Sequence, residues 1–283
     1  MGAVGHSATL KEIRFGWTLV AALVVVIARA GWAIEARLVF EGTQRAEWAT
    51  VVFIHGAGGT PAQFAKLGAA LGERVNVAAF VYDDTARLAP SAEVLRGELV
   101  AVRGAVVVVA HSLGALLPLY LGATDQGGQL RCLAAVYVNP LIGGSHYADD
   151  IKALWWLRPL KPFIQRTFFR ASVRDLAPEN EFEQKIFGRD SAVSSFREHT
   201  VVIFTEKAGE EPDIKPERVP RFFGRTREEL LARVGKVVNA TPTGHNAPLL
   251  HPEITQPIVS GFLDAPPCRR APTPHSPYGL QLH

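Results

Sequence analysis

The stretch VVVVAHSLGALLPL, residues 106–119, leads from four consecutive valines through a histidine, a serine and a glycine into a run of helix-forming residues. The valines predict a buried strand, and LGALLPLYLGA predicts the helix that follows it. A serine at such a sharp strand-to-helix turn projects its hydroxyl outward, provided that the residues two before and two after it are small. Ala110 and Gly114 occupy those positions. The pattern predicts that Ser112 is a nucleophile; the alternative is a turn serine that caps a helix.

A serine hydroxyl is a weak nucleophile, so it needs a base beside it and hydrogen-bond donors that stabilise an oxyanion. The glycine-rich segment HGAGGT, residues 55–60, follows a predicted strand and can aim backbone amides at such an oxyanion. We expect the amides of Ala57 and Leu113 to be the donors. His245 follows the last predicted strand and is the expected base, and His251, just before a proline, is a weaker candidate. The alternative for His245 is an exposed loop histidine.

Apolar runs alternate with amphipathic helical segments along the chain, which predicts an α/β fold: a mostly parallel central sheet with helices on both faces. Parallel strands would place HGAGG and HSLG at their carboxyl ends, where such sheets carry functional groups. The segment SAEVLRGELVAV, residues 91–102, predicts a helix with Ser91 as its N-cap. Residues 145–199 interrupt the alternation with aromatic, basic and proline residues, and we expect a helical cap there, inserted before the penultimate strand at 200–204.

The composition excludes several classes of function. The 283 residues are 48% hydrophobic and 20% charged with a net charge of +3, which is typical of a globular protein and too weakly basic to favour a nucleic-acid partner. Cys132 and Cys268 are the only cysteines, so neither a disulfide framework nor a zinc-binding cysteine pair is expected. No Lys-Ser or Lys-Thr follows the glycines of HGAGGT, which argues against a phosphate-binding loop.

The N-terminus predicts export. Lys11 and Arg14 precede an uncharged run at 15–28, and Ala28-Arg29-Ala30 forms a small-x-small pattern, as in a cleaved signal peptide. The run would rise about 21 Å as a helix, short of the roughly 30 Å bilayer core. An uncleaved membrane anchor and a buried helix are the alternatives. We therefore expect three regions: a signal peptide or anchor at 1–34, a catalytic domain at 35–263 and a disordered, proline-rich tail at 264–283.

HGAGG, AHSLG and GHNAPLLHPE, in this order, resemble the α/β-hydrolase superfamily over about residues 36–263, and the alanine in AHSLG is similar to the nucleophile turn of certain bacterial lipases. NPLIGGS followed by DLAPENEFEQKI also resembles a segment of lipase and acyltransferase relatives. The resemblance implies the chain order serine, acid, histidine. It also implies an acid in the loop after TVVIF, where Asp213 in PDIKP matches best. Other acids of that loop stay open as alternatives: Glu206, Glu210 and Glu211.

Together these features predict a serine hydrolase of carboxylic esters, acting through an acyl-enzyme without a metal or an organic cofactor. The expected partners are a small-molecule or lipid ester and, through the N-terminus and the cap, a membrane surface. The cap would be an amphipathic lid over an acyl pocket, or its aromatic side chains would pack it onto the body. An acyltransferase with the same triad is one alternative. A non-catalytic, membrane-tethered lipid-binding protein is the other.

Overall fold

A computed structural model describes residues 35–72, 75–130, 133–143, 174–205 and 219–267. Several sequence predictions fall outside these ranges: the N-terminal segment, the aromatic part of the cap, the loop with Asp213 and most of the tail. Among the described residues, no helix is both long enough and apolar enough to cross a bilayer.

The core of the protein is a seven-stranded sheet in the order β1-β3-β2-β4-β5-β6-β7. β1 is antiparallel to β3, and every other neighbouring pair is parallel, which confirms the predicted mostly parallel sheet. The strands are β1 Arg37–Glu41, β2 Ala49–Ile54, β3 Val75–Val81, β4 Val106–His111, β5 Leu133–Val138, β6 Thr200–Phe204 and β7 Lys236–Asn239.

The four valines of β4 explain why this strand is central. Val106 and Val108 join one apolar cluster, whereas Val107 and Val109 join a second one. Successive side chains of a strand point to opposite faces of the sheet, so the two clusters cover its two faces. Every residue of β4 and β5 is buried. A strand that is apolar at every position is stable only where both faces are covered.

Within the described ranges the helices are α1 Ala65–Leu71, α2 Leu88–Ala101, α3 Leu116–Thr124, α4 Glu181–Phe187, α5 Val219–Phe223, α6 Arg227–Val234, α7 Ala247–Leu250 and α8 Pro252–Asp264. Short 3₁₀ turns at Pro61–Phe64, Ser112–Ala115 and Arg197–His199 join them. The segment TGHNAPLLHPE, which follows β7, includes the single helical turn α7.

The predicted N-cap of α2 is wrong. Ser91 lies inside the helix and is buried, because α2 begins one turn earlier at Leu88. The carboxylate of Asp175 accepts a hydrogen bond from the Leu88 amide (2.7 Å) and pairs with Arg87 (2.8 Å). A capping carboxylate 87 residues further along the chain therefore replaces the local serine.

The described part of the cap, residues 174–199, packs against α3. The rings of Phe182 on α4 and Tyr120 on α3 stack with centroids 4.9 Å apart. A Cβ atom on Gly122 would lie 2.7 Å from the ring of Phe196, so a glycine is needed where the chain crosses the helix. This half of the cap is thus held to the body by buried aromatic contacts.

Candidate active site

Ser112 sits at the turn that the sequence predicts. It follows β4 directly, begins the 3₁₀ turn Ser112–Ala115 and has a φ of 51°. A left-handed φ on a serine costs on the order of 1–3 kcal/mol, and such residues persist where the surrounding structure holds them. Ser112 is 8% exposed, so little of this residue is open to solvent.

Two glycines explain how closely the chain packs around this serine. A Cβ atom on Gly114 would lie 2.9 Å from the carbonyl oxygen of Ile54 and inside the contact distance of the His55 carbonyl oxygen. A Cβ atom on Gly56 would lie 2.9 Å from the Cβ atom of Ser112. The backbone that leaves β2 therefore runs directly against the nucleophile turn. The first small position is less crowded, since Ala110 packs its methyl group into the apolar core.

The glycine-rich loop after β2 is anchored on both sides. The Gly59 amide donates to the Gly56 carbonyl (3.0 Å), and the Gly58 amide donates to the carboxylate of Asp84. Ala57 is exposed between these anchored residues, and its neighbour Gly56 touches Ser112. Of the two predicted oxyanion donors, Leu113 follows the serine directly in sequence and Ala57 follows Gly56, the residue packed against the serine, and their role stays a prediction.

The rings of His55 and Tyr82 pack against each other at the base of this loop, where it leaves β2. Their rings stack with centroids 4.7 Å apart, and the Tyr82 hydroxyl donates to the His55 carbonyl (2.9 Å). His55 is buried, and its Nδ1 lies 2.9 Å from the Gly56 carbonyl oxygen. These contacts give His55 a structural place beneath the loop.

The loop that carries His245 is brought to the carboxyl ends of β4 and β5. The carbonyl oxygen of His245 accepts a hydrogen bond from Nδ2 of Asn139 (2.7 Å) and another from Nε2 of His111 (3.1 Å). The rings of His111 and His245 lie with centroids 4.7 Å apart. His245 is half-buried. The ring contact places it beside His111, the residue that precedes Ser112.

The imidazole of His111, the residue that precedes Ser112, is buried and bonded to the His245 loop. Burial, with the adjacent His245, lowers the pKa of His111 to about 4. The imidazole is therefore neutral near pH 7, and the contact with the His245 carbonyl requires the proton to be on Nε2. That nitrogen is engaged, and Nδ1 is buried. His111 is therefore a poor candidate for the base.

His251, the second candidate for the base, belongs to a different environment. It lies at the start of α8, is exposed, and places Nδ1 3.1 Å from a carboxylate oxygen of Glu253.

The predicted acid, Asp213, and its alternatives Glu206, Glu210 and Glu211 lie outside the described residues. Thr205, which directly follows β6, lies beside the His245 loop, since its hydroxyl donates to the Gly244 carbonyl (3.0 Å). In the described ranges, no cluster of three or more histidine, cysteine, aspartate or glutamate side chains could hold a metal ion.

Sequence reasoning missed Asn139, Thr205 and Asp84, which anchor the loops of the site. Each directly follows, or closely follows, the carboxyl end of a strand. Their common signal is a polar residue at the end of a buried apolar run. That signal is weak, because most such residues only terminate a strand.

The sequence matches a model of the alpha/beta hydrolase family over residues 51–255. No curated protein sequence matches it. Similar solved structures include a carboxylesterase of the thaumarchaeon Nitrososphaera gargenis, with 14% identity, a TM-score of 0.51 and coverage of 81% of this chain and 95% of that one. A monoacylglycerol lipase of Paleococcus ferrophilus has 18% identity, a TM-score of 0.52 and coverage of 82% and 99%.

A hydrolase of Oleispira antarctica is similar as well, with 14% identity, a TM-score of 0.50 and coverage of 81% of this chain and 94% of that one. At these identities the structures bear on the fold alone. They share the overall fold of this chain. The family match spans most of the chain, including both the Ser112 turn and the His245 loop. The chain therefore belongs to the alpha/beta hydrolase family.

Proposed function

We propose that this protein is a serine hydrolase that cleaves carboxylic esters through an acyl-enzyme on Ser112. The observation that carries the proposal is the pairing of a serine at a left-handed strand-to-helix turn with a histidine loop bonded to the residue before it. A nucleophile and a base on separate elements need such a mutual anchor to stay within hydrogen-bond reach.

In the proposed mechanism, the His245 imidazole removes the proton from the Ser112 hydroxyl as the serine oxygen attacks the ester carbonyl carbon. The oxygen of the tetrahedral intermediate accepts hydrogen bonds from the amides of Ala57 and Leu113. The intermediate collapses, the C–O bond to the alcohol breaks, and His245 donates the proton to the departing alcohol. Water then attacks the acyl-enzyme by the same steps and regenerates the serine. Asp213 orients the imidazole.

A lipid or acyl ester is the proposed substrate class. One similar structure is a monoacylglycerol lipase and another is a carboxylesterase. The cap segment ALWWLRPLKPFIQRTFF is rich in both aromatic and basic residues, a composition that suits an acyl chain and the surface of a membrane. We further propose that the protein is exported, with the apolar run at 15–28 as a signal peptide or an anchor.

The test is labelling of the full-length protein with a fluorophosphonate probe, followed by initial rates on p-nitrophenyl esters of graded chain length. Ser112→Ala should abolish labelling and lower kcat by at least about 10³-fold. Ser260→Ala, on α8 and outside the site, is the matched control and should keep the wild-type rate. Equal labelling or hydrolysis by Ser112→Ala and wild type would overturn the proposal. A preference for long acyl chains supports the lipid ester, and a preference for acetate replaces it with a short-chain ester.

A further inference from the structure

Asn139 is one of two described non-glycine residues with a left-handed backbone, and the nucleophile turn accounts only for the other. Its φ is 44°, and it is completely buried at the end of β5. Asparagine tolerates this conformation better than most residues, but the strained backbone still needs surrounding contacts that hold it. The question is which contacts do so.

The side chain of Asn139 uses both of its amide hydrogens and its oxygen. Nδ2 donates to the carbonyl oxygen of His245 (2.7 Å) and to the hydroxyl of Thr205 (2.9 Å). Oδ1 accepts from the Thr205 amide (2.8 Å). The strained backbone thus aims one amide group at two segments at once, the end of β6 and the His245 loop.

Thr205 continues the connection to the same loop. Its hydroxyl donates to the carbonyl of Gly244 (3.0 Å), and its carbonyl accepts from the amides of Thr243 and Gly244, both at 2.9 Å. Thr205 is 1% exposed, so these bonds are shielded from water. In such surroundings the loss of one partner leaves a buried polar group unsatisfied, which is costly.

His111 supplies the third attachment. Its Nε2 donates to the His245 carbonyl, the oxygen that Asn139 also contacts. The His245 carbonyl is thereby fixed from β4 and from β5, while the preceding residue is fixed from β6. We call Asn139, Thr205 and His111 the base clamp. None of the three touches a reacting atom in the proposed mechanism.

We propose that the base clamp positions the His245 imidazole for proton transfer from Ser112, with Asn139 as its central residue. The inference rests on the proposed function, because it assigns to His245 the role of base. The physical reason for the proposal is that His111 directly precedes Ser112 in sequence. The hydrogen bond from His111 therefore fixes the His245 backbone relative to the turn that carries the serine. A displacement of about 1 Å between a base and its proton donor can lower a rate by about 100-fold.

The first test compares two threonines at opposite ends of the same strand. Thr205→Val removes the clamp hydroxyl and should lower kcat by about 10-fold to 100-fold while KM stays within about 2-fold. Thr205→Ser retains a hydroxyl and should rescue most of that loss. Thr200→Val is the matched control, since Thr200 is buried at the amino end of β6 and its hydroxyl donates to the Phe196 carbonyl (2.9 Å). It should lower stability similarly and leave kcat unchanged.

Asn139→Gly provides a second variant that keeps the left-handed backbone accessible and removes only the side chain. It should show the same fall in kcat at constant KM. Far-UV circular dichroism confirms that each variant is folded. The base clamp is overturned if folded Asn139→Gly and folded Thr205→Val both keep kcat within about 2-fold of the wild type.

Hydrogen exchange separates failure of the clamp from failure of the proposed chemistry. In Asn139→Gly, the amides of Thr243 and Gly244 should exchange at least about 10-fold faster, while those of α2 stay as protected as in the wild type. Unchanged protection at both amides would also overturn the clamp. A wild-type protein that hydrolyses no ester refutes the proposed function alone, because the exchange result still decides whether Asn139 holds the loop.

Discussion

The two ends of the sheet each carry a buried asparagine that ties a loop to a strand, and the two differ in backbone. At the amino end, Asn76 of β3 donates to the Arg45 carbonyl and accepts from the Arg45 amide, both at 2.8 Å. At the carboxyl end, Asn139 binds the His245 loop from a left-handed backbone. Only the carboxyl end combines anchoring with strain among the described residues. The comparison shows that the Arg45 turn is anchored without backbone strain, whereas the His245 loop is anchored by a residue with a left-handed backbone.

The largest effect should follow from crowding the carboxyl end. In Gly114→Ala the added methyl group would meet the backbone carbonyls of Ile54 and His55, which cannot rotate away. We expect a loss of about 3 kcal/mol in the free energy of unfolding, or failure to fold. Urea denaturation measures it. A loss below about 1 kcal/mol would show that the nucleophile turn is more adaptable than its packing indicates.

The second effect should appear at the amino end and leave catalysis alone. Asn76→Ala removes the hydrogen bonds to the Arg45 turn, and we expect a loss of about 2 kcal/mol in stability with kcat unchanged. Urea denaturation and initial ester-hydrolysis rates on the same sample measure both. The expected outcome is the reverse of that for Asn139→Gly, in which the change in kcat exceeds the change explained by stability. A fall in kcat for Asn76→Ala would remove the distinction between the two ends.

A third effect is a pH dependence that originates beside the start of α2. Glu183 is fully buried next to Asp175, and desolvation together with that carboxylate raises the pKa of Glu183 well above its usual range. The folded state then holds a proton that the unfolded chain releases, so the free energy of unfolding should fall as pH rises, by up to about 1.4 kcal/mol per pH unit. Glu183→Gln should flatten this slope.

Thermal unfolding between pH 6.5 and 9 tests the third effect without interference from His111. The lowered pKa of His111 gives a slope of the opposite sign, and that slope is confined below its ordinary value of 6.5. Equal slopes for the wild type and Glu183→Gln would show that Glu183 is not the source.

The smallest effect should come from a glycine that belongs to neither end. Gly97 lies on the exposed face of α2, and a Cβ atom there would meet nothing within 4 Å. Gly97→Ala should therefore stabilise the protein by about 0.8 kcal/mol, because alanine has the higher helix propensity. Urea denaturation beside Gly114→Ala gives the contrast in sign. Destabilisation by Gly97→Ala would mean that the folded state uses this face for a contact.

The sheet and the nucleophile turn could be predicted from the sequence because local signals encode them. Four valines, a serine and a small residue on each side describe β4 and its turn without reference to distant residues. The alternation of apolar runs with amphipathic helical segments likewise predicts parallel strands, since a strand that is apolar on both faces must be covered by helices on both.

The anchors of the site could not be predicted because they depend on pairs far apart in sequence. Asn139 lies 106 residues from the carbonyl that it binds, and Asp175 lies 87 residues from the amide that it caps. Ser91 is a good local N-cap, and a carboxylate that meets α2 one turn earlier overrides it. A single sequence contains no periodicity that reveals such contacts.

The capping of α2 by Asp175 has a consequence for the order of events on the ribosome. At about 5–20 residues per second, synthesis reaches position 175 some 4–17 s after position 88. The first turn of α2 therefore emerges without its carboxylate partner, and β4 and β5 are both made before that partner appears. The N-terminus of α2 is capped only after Asp175, in the second half of the cap, has been synthesised. A truncated chain that stops before Asp175 should therefore have a frayed first turn of α2.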